Sequence, residues 1–127
     1  MLEAARVILF AKDMKAMLAF YEGILGLERL SSPENSEDFV SLSAGGIQIS
    51  LHKIPKRYAK NIEITDPPIP REDIPMKVAF RVENIAEMRA RIESHGVEMR
   101  KIQKGSNVCF CDGIDPEGNI FQISNRP

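Results

Sequence analysis

The side chains able to do chemistry in this chain recur at alternate positions in short apolar runs. Arg6 opens Arg-Val-Ile-Leu-Phe-Ala, with Ile8 and Phe10 in phase with it; Lys77, Ala79 and Arg81 repeat that phase in Lys-Val-Ala-Phe-Arg. Gln48, Ser50 and His52 alternate with Ile47, Ile49 and Leu51, and Gln122 and Ser124 alternate with Phe121 and Ile123. A strand sends successive side chains to opposite faces, so each run has one polar and one apolar face. The apolar set (Val7, Leu9, Val78, Phe80, Phe121, Ile123) must carry the helices, which leaves the polar set on the other side. Two cations with hydroxyl, amide and imidazole groups on one face suit an anion or a strong hydrogen-bond acceptor. A solvated face, or one covered by a second copy, is the plainer alternative.

The remaining reactive residues read as structural. Cys109 and Cys111 share one side of a strand, too parallel for an easy disulfide, and lack a second pair of metal ligands. His52 could donate to a ligand or act as a general base, and also suits a strand's rim. His95 falls in the last turn of a helix, where a cation complements the dipole. No Ser-His-Asp pattern, phosphate loop or redox-cofactor fingerprint is present. Seventeen Lys and Arg against eighteen Asp and Glu leave a formal net charge of -1, with no footprint for nucleic acid or an anionic membrane. The basic run Lys53, Lys56, Arg57, Lys60 has no interleaved aromatic platforms. No apolar stretch reaches membrane-span length and the start carries no secretory pattern, so a cytoplasmic location is expected.

The elements that must position these groups come in two sets. Asp13 is placed as an N-cap, Met14, Met17, Leu18, Tyr21 and Leu25 as the apolar stripe of a helix, and Gly26 as its end. Strands are expected around 28–31, 38–43 and 47–52. In the second half Asn84 and Glu87 form a capping box, Ile85, Met88 and Ile92 the stripe, and Gly96 the end. Strands around 97–102, 107–111 and 119–124 follow, the last two joined by the turn Asp115-Pro116-Glu117-Gly118-Asn119. Superimposing the halves aligns Arg6 with Lys77, Asp13 with Asn84 and Gly26 with Gly96, which is an internal duplication of a β-α-β-β-β unit. The chain is thus one α+β domain, residues 1–127, with module one at 5–54, a proline-rich linker at 55–75 and module two at 76–125.

These segments resemble the vicinal-oxygen-chelate superfamily of glyoxalases, bleomycin-resistance proteins and extradiol dioxygenases. The likeness lies in Val7 to Phe10 with Lys12-Asp13, Leu18 to Tyr21, Ile24 to Leu27, Val78 to Ile85, Gly96-Val97 and Asp115 to Asn119. It implies two modules curving into a half-open barrel with a concave binding cup, and small members that pair into homodimers. Metal-dependent members place four ligands in the cup, at the first and last strand of each module. Here those places hold Arg6, Ser50, Lys77 and Gln122. Arg6 has no lone pair to offer and Lys77 would have to lose its proton. One fixed positive charge about 5 Å from a divalent ion opposes it by roughly 6–7 kcal/mol at an effective dielectric of about 20. The resemblance therefore points to a member without metal or other cofactor.

Three readings are open: a metal-free small-molecule binder, resembling the sequestering members; a lyase, dioxygenase or epimerase relative with atypical ligands such as His52 and Gln122; and a dimeric interaction module. The first takes Arg6, Phe10, Gln48, Ser50, His52, Lys77, Arg81 and Gln122 as ligand-binding residues. It expects an anionic ligand, because Arg6 and Lys77 are equivalent while Ser50, His52 and Gln122 bring no negative charge. Asp38 or Glu83 could instead pair with the cations permanently.

Overall fold

Two N-caps set where the helices begin. Asp13 Oδ1 accepts from the Ala16 amide at 3.0 Å, and Asn84 Oδ1 from the Glu87 amide at 3.0 Å. The helices they open end at Gly26 (φ 76°) and Gly96 (φ 81°), both in the left-handed region expected of a helix stop. This computed structural model describes residues 1–127, which divide into two compact units, Met1–Glu63 and Ile64–Pro127.

In the first unit, β1 (Arg6–Ala11) leads into α1 (Met14–Leu18) and a π-helical segment (Ala19–Ile24). β2 (Glu28–Arg29), β3 (Phe39–Ser43), β4 (Gln48–Lys53) and the short α2 (Lys56–Ala59) follow. The sheet order is β1-β4-β3-β2, with β1 parallel to β4 and the other pairs antiparallel. One face buries Ala11, Val40, Leu42, Ile49 and Leu51 against Met14, Met17, Phe20 and Tyr21. The expected stripe of a regular α-helix is corrected here: Phe20 is in the core, while Leu18 and Leu25 are half-buried. The wider π turn is the reason, because it brings the consecutive rings Phe20 and Tyr21 (centroids 4.9 Å, edge-to-face) to the core side together.

The second unit repeats the plan: β5 (Val78–Arg81), α3 (Ile85–Glu93), β6 (Gln103–Lys104), β7 (Cys109–Ile114) and β8 (Ile120–Ser124). Its order is β5-β8-β7-β6, again with the first strand parallel to the last. Ile85, Ile92 and Met99 pack with Cys111, Phe121 and Ile123. The strand expected around 97–102 is reduced to a single bridge, Met99 with Gly113, ahead of β6. Arg89 explains this. Its guanidinium donates to the Arg100 carbonyl (2.9 Å), the next acceptor a continued ladder with β7 would need, and also to the Met99 carbonyl (3.2 Å). Both units are thus open, mixed four-stranded sheets of the α+β class, each a β-α-β-β-β arrangement.

Residues 55–75 are not uniformly free of packing. Lys12 Nζ donates to the Ile62 carbonyl within the first unit, and the Arg71 amide donates to the Gly118 carbonyl at 2.9 Å within the second. No helix is long and apolar enough to cross a membrane.

Candidate functional site

Strand alternation carries Arg6, Ile8 and Phe10 of β1 to the face of the first sheet opposite the core. The parallel register sets them beside Gln48, Ser50 and His52 of β4. Arg6 Nη1 donates to Ser50 Oγ at 3.1 Å and to Ser41 Oγ at 3.3 Å, and the two hydroxyls share a hydrogen bond of 2.8 Å. Both serines are almost wholly buried, so the guanidinium is anchored at its base. Its one acidic neighbour is Glu34, at 3.6 Å, with 62% of that side chain exposed. A pair that long and that wet leaves most of the cation's charge uncompensated.

Aromatic rings border the guanidinium. The Phe39 ring centre lies 6.0 Å from the Arg6 guanidinium carbon. His52 stacks on Phe10 at 5.6 Å and meets Phe39 edge-on at 5.4 Å. These two rings fix the His52 imidazole, while the hydrogen bonds of this face run through Arg6 and the two serines. Gln48 is half-buried on the same face.

In the second unit Lys77, just ahead of β5, points its ammonium at Asp112 Oδ2 (2.8 Å). Gln122 Nε2 donates to the other carboxylate oxygen at 3.1 Å. Arg81 ends β5, exposed and without an ion partner. The expectation that this face carries no negative charge is therefore corrected, and neither Asp38 nor Glu83 pairs with the two cations. The acids that do are Glu34 and Asp112. Asp112 was legible: it follows Cys111 in the strand, so alternation turns it from the core, and the duplication sets it in the place of Ser41. Ser41 lies opposite Ser50 as Asp112 lies opposite Gln122. The equivalent places are used differently: in the first unit the cation donates to both hydroxyls, and in the second the cation and the amide both donate to one carboxylate.

Comparison with known proteins places the chain. The model of the Glyoxalase/Bleomycin resistance protein/Dioxygenase superfamily matches residues 4–123. The chain belongs to this superfamily. Among solved structures it is similar to a putative glyoxalase family protein from Bacillus anthracis (19% identity, 98% and 94% of the two chains covered, TM-score 0.71). It is also similar to a lactoylglutathione lyase from Agrobacterium tumefaciens (21%, 94% and 90%, TM-score 0.65). A third likeness is to an integron cassette protein from the mobile metagenome of V. cholerae (18%, 98% and 94%, TM-score 0.67). No curated protein matches the sequence. At these identities the structural likeness speaks for the superfamily fold alone.

The donor set at the superfamily's metal positions does not fit a divalent ion. In the first unit a guanidinium bonds to the Ser50 oxygen, and in the second Gln122 donates its amide to a carboxylate already paired with an ammonium. The cysteines are free thiols. Cys111 is buried and its Sγ donates to the Arg100 carbonyl at 2.9 Å; burial pushes this thiol's pKa up, which suits a packed and unreactive group. His95 Nδ1 meets the Arg91 carbonyl at 2.9 Å at the end of α3, a helix-terminal contact.

Proposed function

We propose that this superfamily member binds a small anionic or strongly hydrogen-bond-accepting molecule without a metal, with Arg6 as the principal contact. The observation that carries this reading is the Arg6 guanidinium, fixed on two buried hydroxyls, about a third exposed (31%) and matched only by a distant, solvated Glu34. A carboxylate or phosphate there gains charge-assisted hydrogen bonds from a group already oriented, so little side-chain entropy is lost on binding. Phe10, Phe39 and His52 offer flat apolar surface beside the cation for the ligand's body. Gln48 and Ser50 complete the proposed set within the first unit. Lys77, Arg81 and Gln122 belong to the second unit and fall outside it, Lys77 and Gln122 being committed to Asp112.

A thermal-shift screen of small carboxylates and phosphates tests the proposal. A stabilising anion should bind Arg6→Ala more weakly by about 1–3 kcal/mol, the scale of a partly exposed charged hydrogen bond. If no anion stabilises the wild type and Arg6→Ala merely lowers stability, Arg6 is a structural residue. A second reading, that another copy of the chain covers this face, is favoured by Ile8 (44% exposed) and Phe10 (60%) on β1.

A further inference from the structure

The second unit holds a cavity that the Arg6 reading does not use. It measures about 280 Å³, and its charged lining is Arg71, Glu72, Lys77, Arg100 and Asp112. Four of these five neutralise one another: Lys77 pairs with Asp112 at 2.8 Å, and Arg100 with Glu72. Arg71 is left over. It is half-buried, and no carboxylate lies within ion-pair distance of it. A half-buried cation with no carboxylate in ion-pair distance is a place where an anion gains charge-assisted hydrogen bonds.

The position of Arg71 is built rather than incidental. Its amide donates to the Gly118 carbonyl at 2.9 Å. Gly118 has φ +87°, and a Cβ there would fall on the Ile69 carbonyl and lie 3.4 Å from Arg71 Cγ. Only glycine lets the connector lie this close to the 115–119 turn, and the Arg71 stem is thereby held over the unit's surface. Ile74, Met76 and Ile120 form the apolar part of the wall. Ile74 and Met76 remain 40% and 72% exposed, so apolar surface is available next to the unmatched cation.

We propose that this cavity is a binding site for a small monocarboxylate with a short apolar body, its carboxylate on Arg71 and its body against Ile74, Met76 and Ile120. One unmatched guanidinium suits the single charge and planar fork of a carboxylate. A phosphate dianion would meet Glu72 and Asp112 with charge left over. The volume lies just below the range usual for drug-sized ligands, which fits a compact acid. This proposal stands apart from the Arg6 reading, since every residue in it belongs to the second unit.

The test is a titration of the full chain with hexanoate and benzoate, followed by backbone amide NMR shifts. Inorganic phosphate and sodium chloride at matched ionic strength serve as controls. Saturable shifts should appear in residues 71–77, 112 and 120 with the two acids and not with the controls. Arg71→Ala removes a guanidinium without a partner, so the fold should persist while the acids bind about tenfold more weakly. Met76→Ser should weaken hexanoate more than acetate, and Lys15→Ala, exposed on α1 and in neither proposed site, should leave both unchanged. The proposal is overturned if these amides stay still at millimolar acid, if chloride or phosphate moves them equally, or if Arg71→Ala binds as the wild type does. Binding lost in Arg6→Ala and kept in Arg71→Ala would place the acid on the first sheet and likewise overturn it.

Discussion

Arg6 and Lys77 hold equivalent places in the duplication, yet one side chain in each unit separates their electrostatics. Where the first unit has Ser41, the second has Asp112, so the arginine stays largely unmatched and the lysine is paired. Asp112→Asn should therefore destabilise the protein by about 1 kcal/mol in denaturant titrations. The discount from a buried ion pair follows from the Lys77 side chain being 41% exposed, although Asp112 itself is only 15% exposed. A loss of several kcal/mol would mean the pair is more dehydrated than its geometry implies. The same residues bear on metal binding. Elemental analysis after expression with added zinc, nickel or manganese should find no stoichiometric ion. One tightly held ion per chain, whose removal by chelator lowers the melting temperature, would refute that expectation.

At the scale of elements, the second sheet closes on Met99 and Phe121 because β7 contributes no side chain at Gly113. A Cβ there would sit on Met99 Sδ and within 2.6 Å of Phe121 Cζ, both in the core. Gly113→Ala should cost about 1–3 kcal/mol, the range for overfilling a packed interior, measured by chemical denaturation. A neutral result would show that Met99 swings aside freely, which an unbranched thioether can sometimes do. The first unit shows the complementary device: its helix widens to a π turn where Phe20 and Tyr21 must both enter the core. In each case the packing of large side chains prevails over the regular geometry of the element.

For the whole molecule, the open sheets raise the matter of their edges. β1 and β2 bound one sheet and β5 and β6 the other. Unpaired edges invite association, and β1 adds exposed Ile8 and Phe10 to its unpaired backbone groups. We expect a homodimer at micromolar concentration, with Phe10→Glu shifting the equilibrium towards the monomer. Sedimentation equilibrium decides this: a single species at the 14.3 kDa chain mass in the wild type would exclude it.

Local chemistry and periodicity were enough to place the caps at Asp13 and Asn84, the stops at Gly26 and Gly96, and the face shared by Arg6, Ser50 and His52. Each of these depends on neighbours a few residues away. Superfamily membership was legible for a related reason, because the duplicated order of such signals spans the chain. What tertiary structure alone decided was which groups meet across long separations. The Ser41–Ser50 hydroxyl pair beneath Arg6, the Lys77–Asp112 pair and the Arg89 guanidinium on the Met99 and Arg100 carbonyls all depend on strand register and helix packing. A period of two says which face a residue takes and not which residue lies opposite. That is why Arg6 and Lys77 look alike in sequence and differ in charge balance once the strands are paired.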